Sequence, residues 1–283
     1  MSTVSLVRME DMSLQHWIKE TLLPLQWVER VVNVPLNYNG DKSRFEAEIT
    51  WLPNFLDEGR GWVYFEPYGS TDLCSVVNSV PSDEQTTRVT VYNGSGAVID
   101  SSYYTINYLD GAIIASGGTS TPDGVPTTVD FYQYYVSVID GWPGTNPPDS
   151  PLIAIEMGAY NKGPYQLGPG RIAKRNVTIH IHATSSSERD DLTEFLYDAL
   201  YNRHLAVLDY RQGEPLNYDG TYNTAWTGDF LQLDTNDDAL FHFRNVRAEP
   251  ISFREEWSDL NMWRSKITFV AESYRMGLDF NKL

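Results

Sequence analysis

Two histidines one residue apart are the residues of this chain whose spacing most suggests chemistry. His180 and His182 lie in the alternating stretch NVTIHIHA, residues 176–183. If that stretch is a strand, side chains at positions i and i+2 point to the same face, so both imidazoles can reach one metal ion such as zinc. A zinc site needs a third protein ligand. No spacing in the sequence selects one among His204, His242, Glu188 and Asp209.

The rest of the sequence adds no signal for catalysis. It contains no Walker loop, no Gly-x-Gly-x-x-Gly turn and no Gly-x-Ser-x-Gly elbow. We therefore expect a protein that is not an enzyme and holds no cofactor, with His180 and His182 partly exposed on a sheet face beside a subunit contact. A metal-dependent hydrolase that uses these two histidines stays open as an alternative.

A run of acidic residues follows the histidines, in the stretch SSSERDDLTEFLYDAL, residues 185–200. Ser187 and Asp190 have the spacing of a capping box, and leucines recur at helical intervals, so the stretch predicts a helix. Adjacent residues on a helix point about 100° apart, so Asp190 and Asp191 do not converge as an acid–base pair. The acids left for solvent or for a partner are Glu188, Asp190, Asp191, Glu194 and Asp198.

The charge balance limits the partners that this chain can have. It carries 21 Lys and Arg against 38 Asp and Glu, a formal net charge of -17. Tight binding to a phosphate backbone requires clustered cations, so we expect no such binding, although an acidic wall would let nucleic acid pass without sticking. Cys74 is the single cysteine, which excludes a disulfide within the chain. No apolar run approaches the roughly 20 residues that span a bilayer, so no membrane partner is expected.

Three segments are expected to position these residues. Residues 1–37 are predicted to be a helical segment, because apolar residues recur at helical spacing from Ser13 to Val34. Pro24 should kink the helix. We expect this segment to pack on the C-terminal domain. Residues 38–146 read as an extra β-rich domain, with Asn93-Gly94 and Asp110-Gly111 as hairpin turns and one strand over residues 128–139. Residues 147–283 follow a Pro- and Gly-rich boundary and read as strands with one helix. The expected class is α+β: a mostly antiparallel sheet flanked by helices, with the β-rich region added.

The C-terminal segment resembles the tail-terminator and head–tail connector (neck) proteins of tailed bacteriophages. The resemblance rests on the strand PLIAIE (Pro151–Glu156), the Gln166-Leu167-Gly168 loop, the alternating strand and the helix that begins Ser-x-Arg-Asp-Asp-Leu. It covers about half of the chain, chiefly residues 151–274. The chain departs from the family in its length, since terminators are usually shorter and residues 38–141 have no counterpart in the pattern.

The resemblance implies a function without catalysis. Such proteins form rings, usually hexameric, that join head to tail around a channel through which DNA passes without tight binding. It also implies a virion protein, assembled in the cytoplasm of the bacterial host, with tail tube, sheath or connector proteins as neighbours and no catalytic or cofactor residues. We expect some of the five acids to face the lumen.

Two further expectations concern binding surfaces. The glycine-rich stretch 163–175 predicts a long loop. We expect this loop to dock on a neighbouring subunit or ring through basic residues. These are Arg171, Lys174 and Arg175 within the stretch and Lys162 just before it. The β-rich region, with its many Tyr and Trp residues, is also compatible with a carbohydrate- or receptor-binding module of a tail or baseplate. That reading is the alternative to the ring.

Overall fold

The structure is a computed structural model, and it describes residues 6–23, 27–40, 44–47, 89–108, 111–141, 151–164, 171–201, 203–226, 228, 232–233, 237–238, 240–251 and 263–275. The chain divides into two compact units. Unit 1 comprises Met1–Ile18, Ser137–Gln212 and Thr227–Leu283, and unit 2 comprises Lys19–Val136 and Gly213–Trp226. The predicted division at residues 37 and 146 follows chain order, whereas these units are assembled from separated stretches of the chain.

The elements follow one another in this order. The first half contains α1 (Leu6–His16), a π-helical segment (Trp17–Leu22), β1 (Val28–Asn39), β2 (Arg44–Ala47), β3 (Val89–Asn93), a 3₁₀ turn (Ser101–Tyr103), β4 (Tyr104–Asn107), β5 (Ala112–Ala115), β6 (Pro126–Tyr134) and β7 (Ser137–Asp140). The second half contains β8 (Leu152–Pro164), β9 (Arg171–Ala183), α2 (Ser186–Leu200), β10 (His204–Ala206), a 3₁₀ turn (Tyr210–Gln212), β11 (Gln232–Leu233), β12 (Asp237–Asp238), β13 (Leu240–Ile251) and β14 (Trp263–Arg275).

Two six-stranded sheets dominate the described residues. The sheet of unit 2 has the strand order β3-β6-β1-β2-β5-β4, and all its pairs are antiparallel. The sheet of unit 1 has the order β10-β13-β14-β9-β8-β7, and only β7 and β8 pair in parallel. The described part of the chain is therefore mostly β with two α-helices, which agrees with the predicted α+β class in its coarse form. None of the described helices is long and apolar enough to cross a membrane.

Strand β1 corrects the helical prediction for residues 13–34. Helix α1 is followed only by the π-helical segment, and Val28–Asn39 is extended. The four valines in this stretch favour strands because their branched side chains are stiff and pack well on a pleated surface. Pairing with β6 and then with β2 satisfies the backbone of β1. Tertiary pairing therefore overrode a helical periodicity of apolar residues.

Strand β1 also curls the sheet of unit 2. It pairs with β6 up to Pro35 and with β2 from Leu36, and a bulge between Val31 and Val34 places Asn33 at a φ of 54°. Such a bulge bends the strand, and asparagine tolerates the left-handed region better than most residues. Both halves of the sheet then supply one core, formed by Val34, Leu36, Phe45, Val89, Val91, Ile99, Ile113, Ala115, Val129 and Phe131.

The predicted strand over residues 128–139 is in fact two strands. β6 ends at Tyr134 within the sheet of unit 2, and β7 begins at Ser137 within the sheet of unit 1. The apolar alternation continues across the break because both strands have buried faces, so periodicity alone could not locate it. The hairpin formed by β4 and β5 agrees with its prediction, and Gly111 in its turn has a φ of 64°.

Candidate functional site

Strand register defines the main buried face of the sheet of unit 1, and Leu152, Ala154 and His182 on the other face are buried as well. Residues directly opposite in an antiparallel pair share a face. Ile179 lies opposite Ile155 on β8 and Ile267 on β14, and all three are fully buried. The alternation predicted for β9, with Val177, Ile179 and Ile181 on one face, is confirmed by their burial.

Helix α2 covers this buried face. Thr193 and Ser265 of β14 share a hydrogen bond through their hydroxyls, and the Arg189 guanidinium lies 5.5 Å from the centre of the Trp263 ring. The leucines on this side of the helix are fully buried, namely Leu192, Leu196 and Leu200. The predicted helix is thus confirmed together with its apolar stripe.

The cap of α2 differs from the predicted one by two residues. Ser185, not Ser187, is the N-cap, and its hydroxyl accepts from the backbone N–H of Glu188. The Glu188 carboxylate in turn accepts from the backbone N–H of Thr184 at 2.6 Å and from its hydroxyl at 2.7 Å. The run of three serines offers the same spacing twice, so sequence alone could not choose the cap. Glu188 therefore stabilises the helix start and is half-buried.

The other four predicted acids lie on the exposed side of α2. At about 100° per residue the four fall within an arc of about 100°, on the side of the helix opposite the buried leucines. Of them only Asp190 is ion-paired within the described residues, to Arg189 at 2.6 Å. We call the surface formed by Asp190, Asp191, Glu194 and Asp198 the acidic stripe.

Helix α1 docks on the same buried face through charged groups. Arg175 of β9 is 7% exposed and forms an ion pair with Asp11, and its Nε donates to the Gly158 carbonyl oxygen at 3.3 Å. The Ser273 hydroxyl donates to the Glu10 carboxylate at 3.1 Å. Burial raises the pKa of Asp11 although Arg175 opposes that shift. Arg175 was predicted to contact a neighbouring subunit, and within this chain its side chain is instead buried against α1.

The remaining basic candidates belong to a hairpin and not to a long loop. Lys162 lies in β8 with its ammonium group 5.0 Å from the centre of the Tyr160 ring, and Arg171 and Lys174 lie in β9. Only residues 165–170 between the strands lie outside the described residues. The glycines and prolines predicted a loop, but the register of β8 and β9 extends to Pro164 and Arg171. Lys162 and Lys174 are exposed.

The two histidines lie on the opposite, polar face of the sheet. His180 Nε2 is 3.4 Å from a Glu156 carboxylate oxygen, and burial lowers the pKa of His180 more than Glu156 raises it. His182 is 4% exposed and pairs in register with Arg264. Burial, and then the Arg264 charge, lower the pKa of His182 to about 4. Both effects favour the neutral imidazole.

Among the described residues, no third metal ligand joins His180 and His182. His204 and His242 lie opposite each other on β10 and β13, with ring centres 5.9 Å apart. His242 is in register with Glu272, whereas His180 is in register with Lys266, six residues earlier on β14, a separation of about 20 Å along the strand. Among the described residues, no group of three His, Cys, Asp or Glu side chains could hold a metal ion.

The same polar face carries a group of cations that the sequence did not reveal. Strand register places Lys174 opposite Glu272, Arg244 opposite Val270, and Arg247 opposite Thr268. Arg244 and Arg247 are three residues apart, so strict alternation would put them on opposite faces. The bulge between them, with Asn245 at a φ of 55°, restores them to one face. We call the surface formed by Lys174, Arg244, Arg247 and Lys266 the cationic face.

Ion pairs on this face leave part of its charge available. Lys174 binds Glu272 at 2.6 Å, Arg244 lies 3.9 Å from the same carboxylate, and Lys266 binds Glu249 at 3.1 Å. Arg247 is exposed and has no ion-pair partner among the described residues. Four cations thus meet two carboxylates here, an excess of positive charge within a chain of net charge -17. The arrangement is suited to recognition of anionic groups.

Unit 1 therefore presents two charged surfaces on opposite sides of one layer. The acidic stripe lies on α2, above the buried sheet face, and the cationic face lies beneath the sheet. Neither a known family model nor a curated protein matches this chain in sequence comparisons.

Proposed function

We propose that this protein is a structural virion protein of a tailed bacteriophage that forms a ring at the neck or tail end. The ring, a hexamer by analogy with terminators, would join head to tail next to tail tube, sheath or connector proteins. One observation carries the proposal. The terminator-like segment, β8 to β10, forms with β13 and β14 a sheet-and-helix layer whose two outer surfaces have opposite charge.

Opposite surfaces of unlike character favour association of a particular kind. When one patch complements a different patch of the same molecule, subunits join head to tail, and they close into a ring if the rotation between neighbours permits. The negative net charge supports the proposed channel, because DNA that passes an acidic wall gains no counterion release from binding. In such a ring the acidic stripe has two candidate positions, the lumen wall or the subunit contact.

Electron microscopy of the particle that contains this protein tests the proposal. We expect a ring of copies at the head–tail junction, located with a tagged chain, and particles that lack the protein should accumulate as separate heads and tails. A protein absent from the particle, or present there as isolated copies, would contradict the proposal.

A specific observation on unit 2 favours a second candidate, binding of a carbohydrate or receptor. Tyr218 is fully exposed on a tight turn in which Asn217, Asp219 and Thr221 are linked by hydrogen bonds of 2.6 to 3.1 Å. An exposed aromatic ring on an ordered turn can stack on a sugar or fill a receptor pocket. Glycan binding by the full chain that is lost in Tyr218→Ala, but kept in Tyr201→Ala, would favour this candidate over the ring.

A further inference from the structure

We propose that the cationic face of unit 1 is the docking site for a second copy of this chain, whose helix α2 lies on it through the acidic stripe. The inference rests on the proposed ring function and deepens it, because it names the two surfaces that meet between neighbouring subunits. It assigns the acidic stripe to the subunit contact and not to the lumen.

The cationic face is an accessible surface. The side chains of Lys174, Arg244 and Lys266 are 51%, 50% and 38% exposed, and Arg247 is exposed as well. Both described helices pack on the other side of the sheet, α1 through Arg175 and α2 through Ser265. Neither described helix covers these four cations, and a surface with an excess of cations is suited to an anionic partner.

The acidic stripe supplies the matching charges. Asp191, Glu194 and Asp198 are exposed and have no ion-pair partner among the described residues. The stripe is rigid, since it lies on a capped helix whose other side is anchored by three buried leucines. A preorganised row of carboxylates loses little side-chain entropy when it binds.

The spacing of charges agrees between the two surfaces. Successive turns of the stripe, from Asp190 to Glu194 to Asp198, rise about 6 Å each, because a helix rises 1.5 Å per residue. Side chains on one face of a strand recur about every 6.6 Å. A helix laid along β13 and β14 therefore keeps its carboxylates near successive cations over two to three turns.

The geometry also fits repeated association. The stripe and the cationic face lie on opposite sides of the same layer, so a subunit that receives α2 from one neighbour offers its own α2 to the next. That is a heterologous contact, which closes into a ring when the rotation permits. Charge pairs of this kind add mainly specificity and association rate, and they weaken in salt.

Charge exchange between variants tests the contact. Variant A carries Asp191→Lys and Glu194→Lys, so its stripe holds two lysines beside Asp190 and Asp198 and is no longer acidic, while its cationic face is intact. Variant B carries Arg244→Glu and Arg247→Glu, so both of its surfaces are acidic. The matched control carries Asp140→Lys and Glu214→Lys, two exposed acids outside the stripe. Self-association of the full chain is measured by sedimentation and native mass spectrometry at about 50 mM and about 500 mM salt, a range over which screening of exposed charges changes strongly.

We expect the wild type and the control to associate at low salt, and A and B alone to associate at least about tenfold more weakly. An equimolar mixture of A and B should recover association, because the intact acidic stripe of B then meets the intact cationic face of A. Recovery also shows that both variants are folded. If A or B is misfolded by circular dichroism, the single substitutions Glu194→Lys and Arg247→Glu replace it in the same mixture.

Three results would overturn the inference. These are a wild type that stays monomeric at low salt, unchanged association of A and B, and a mixture that associates no better than its components. A ring seen at the head–tail junction together with any of these results would leave the proposed function standing and reject this contact, with the stripe then assigned to the lumen. Isolated copies in the particle would instead reject the ring.

Discussion

The two units build a core from a six-stranded sheet in different ways. In unit 2 the sheet bends at the bulge of β1, and its two halves supply both walls of one core. In unit 1 one face of the sheet is buried under α1 and α2, and the other carries the exposed cations of β9, β13 and β14. The difference matters for function, because only a layer with a helix on one side can offer two outer surfaces of unlike chemistry.

The units also differ in how they use charge. All five histidines lie in the stretches of unit 1, which also contain the buried Arg175–Asp11 pair and both charged surfaces. The core cluster of unit 2 consists of apolar side chains. Stability of unit 1 should therefore respond to pH and to loss of single charges, whereas stability of unit 2 should respond mainly to packing.

The largest expected effect is loss of packing in unit 2. Phe131 is 1% exposed in the curled core, and Phe131→Ala should lower the free energy of unfolding by about 3 to 5 kcal/mol, because it removes apolar contacts and leaves a cavity. Hydrogen exchange should accelerate first in β1, β3 and β6. Leu196→Ala is the matched change in unit 1, and it should accelerate exchange in α2 and β14. If both variants accelerate hydrogen exchange to the same extent in both units, the two cores are not independent in the way predicted here.

The second effect tests the buried ion pair of unit 1. Asp11→Ala leaves the Arg175 guanidinium buried without its partner carboxylate, and it should cost about 3 kcal/mol in chemical denaturation. The double variant Asp11→Ala, Arg175→Met should recover most of that loss, since no buried charge remains. A double variant as unstable as Asp11→Ala would show that packing of α1, and not the charge, determines the cost.

The third effect is a pH dependence confined to unit 1. The folded protein holds the pKa of His182 near 4, below the ordinary value of 6.5, so the unfolded chain binds this proton more readily. Stability should therefore fall as pH drops from 6.5 to 4, by on the order of 3 kcal/mol. His182→Gln should flatten the pH dependence of unfolding in this window. His204→Gln, which replaces an exposed histidine of the same unit, is the control.

The smallest effect compares a helix cap with a strand bulge. Ser185→Ala removes the acceptor for the Glu188 N–H and should cost about 1 kcal/mol. In unit 2, Asn33→Ala forces alanine into a φ of 54° and should cost about 1 kcal/mol, whereas Asn33→Gly should be nearly neutral. Thermal unfolding of the three variants checks both sites. A glycine variant as unstable as the alanine variant would mean that the asparagine side chain, and not its backbone, matters.

Particular elements show how far the sequence was informative. The alternation of β9 and the α2 helix with its leucine stripe were predictable because local periodicity reports a buried face directly. The helical prediction for Val28–Val34 failed because strand pairing outweighed a periodicity that either structure could satisfy. The loop prediction around Lys174 failed for a related reason: glycines and prolines are also found near the ends of long hairpins.

The acidic stripe and the cationic face also differ in how far the sequence could predict them. Composition and helical spacing were enough to predict the acidic stripe, since a single helix determines which of its residues are neighbours. The cationic face brings together residues from β9, β13 and β14 that are up to 92 positions apart, from Lys174 to Lys266. Their proximity depends on strand order and register, and the shared face of Arg244 and Arg247 depends on one bulge. The burial of Arg175 was likewise decided by the packing of α1. Charge and local periodicity are properties of neighbouring residues, whereas a surface formed across strands exists only once the tertiary structure aligns them.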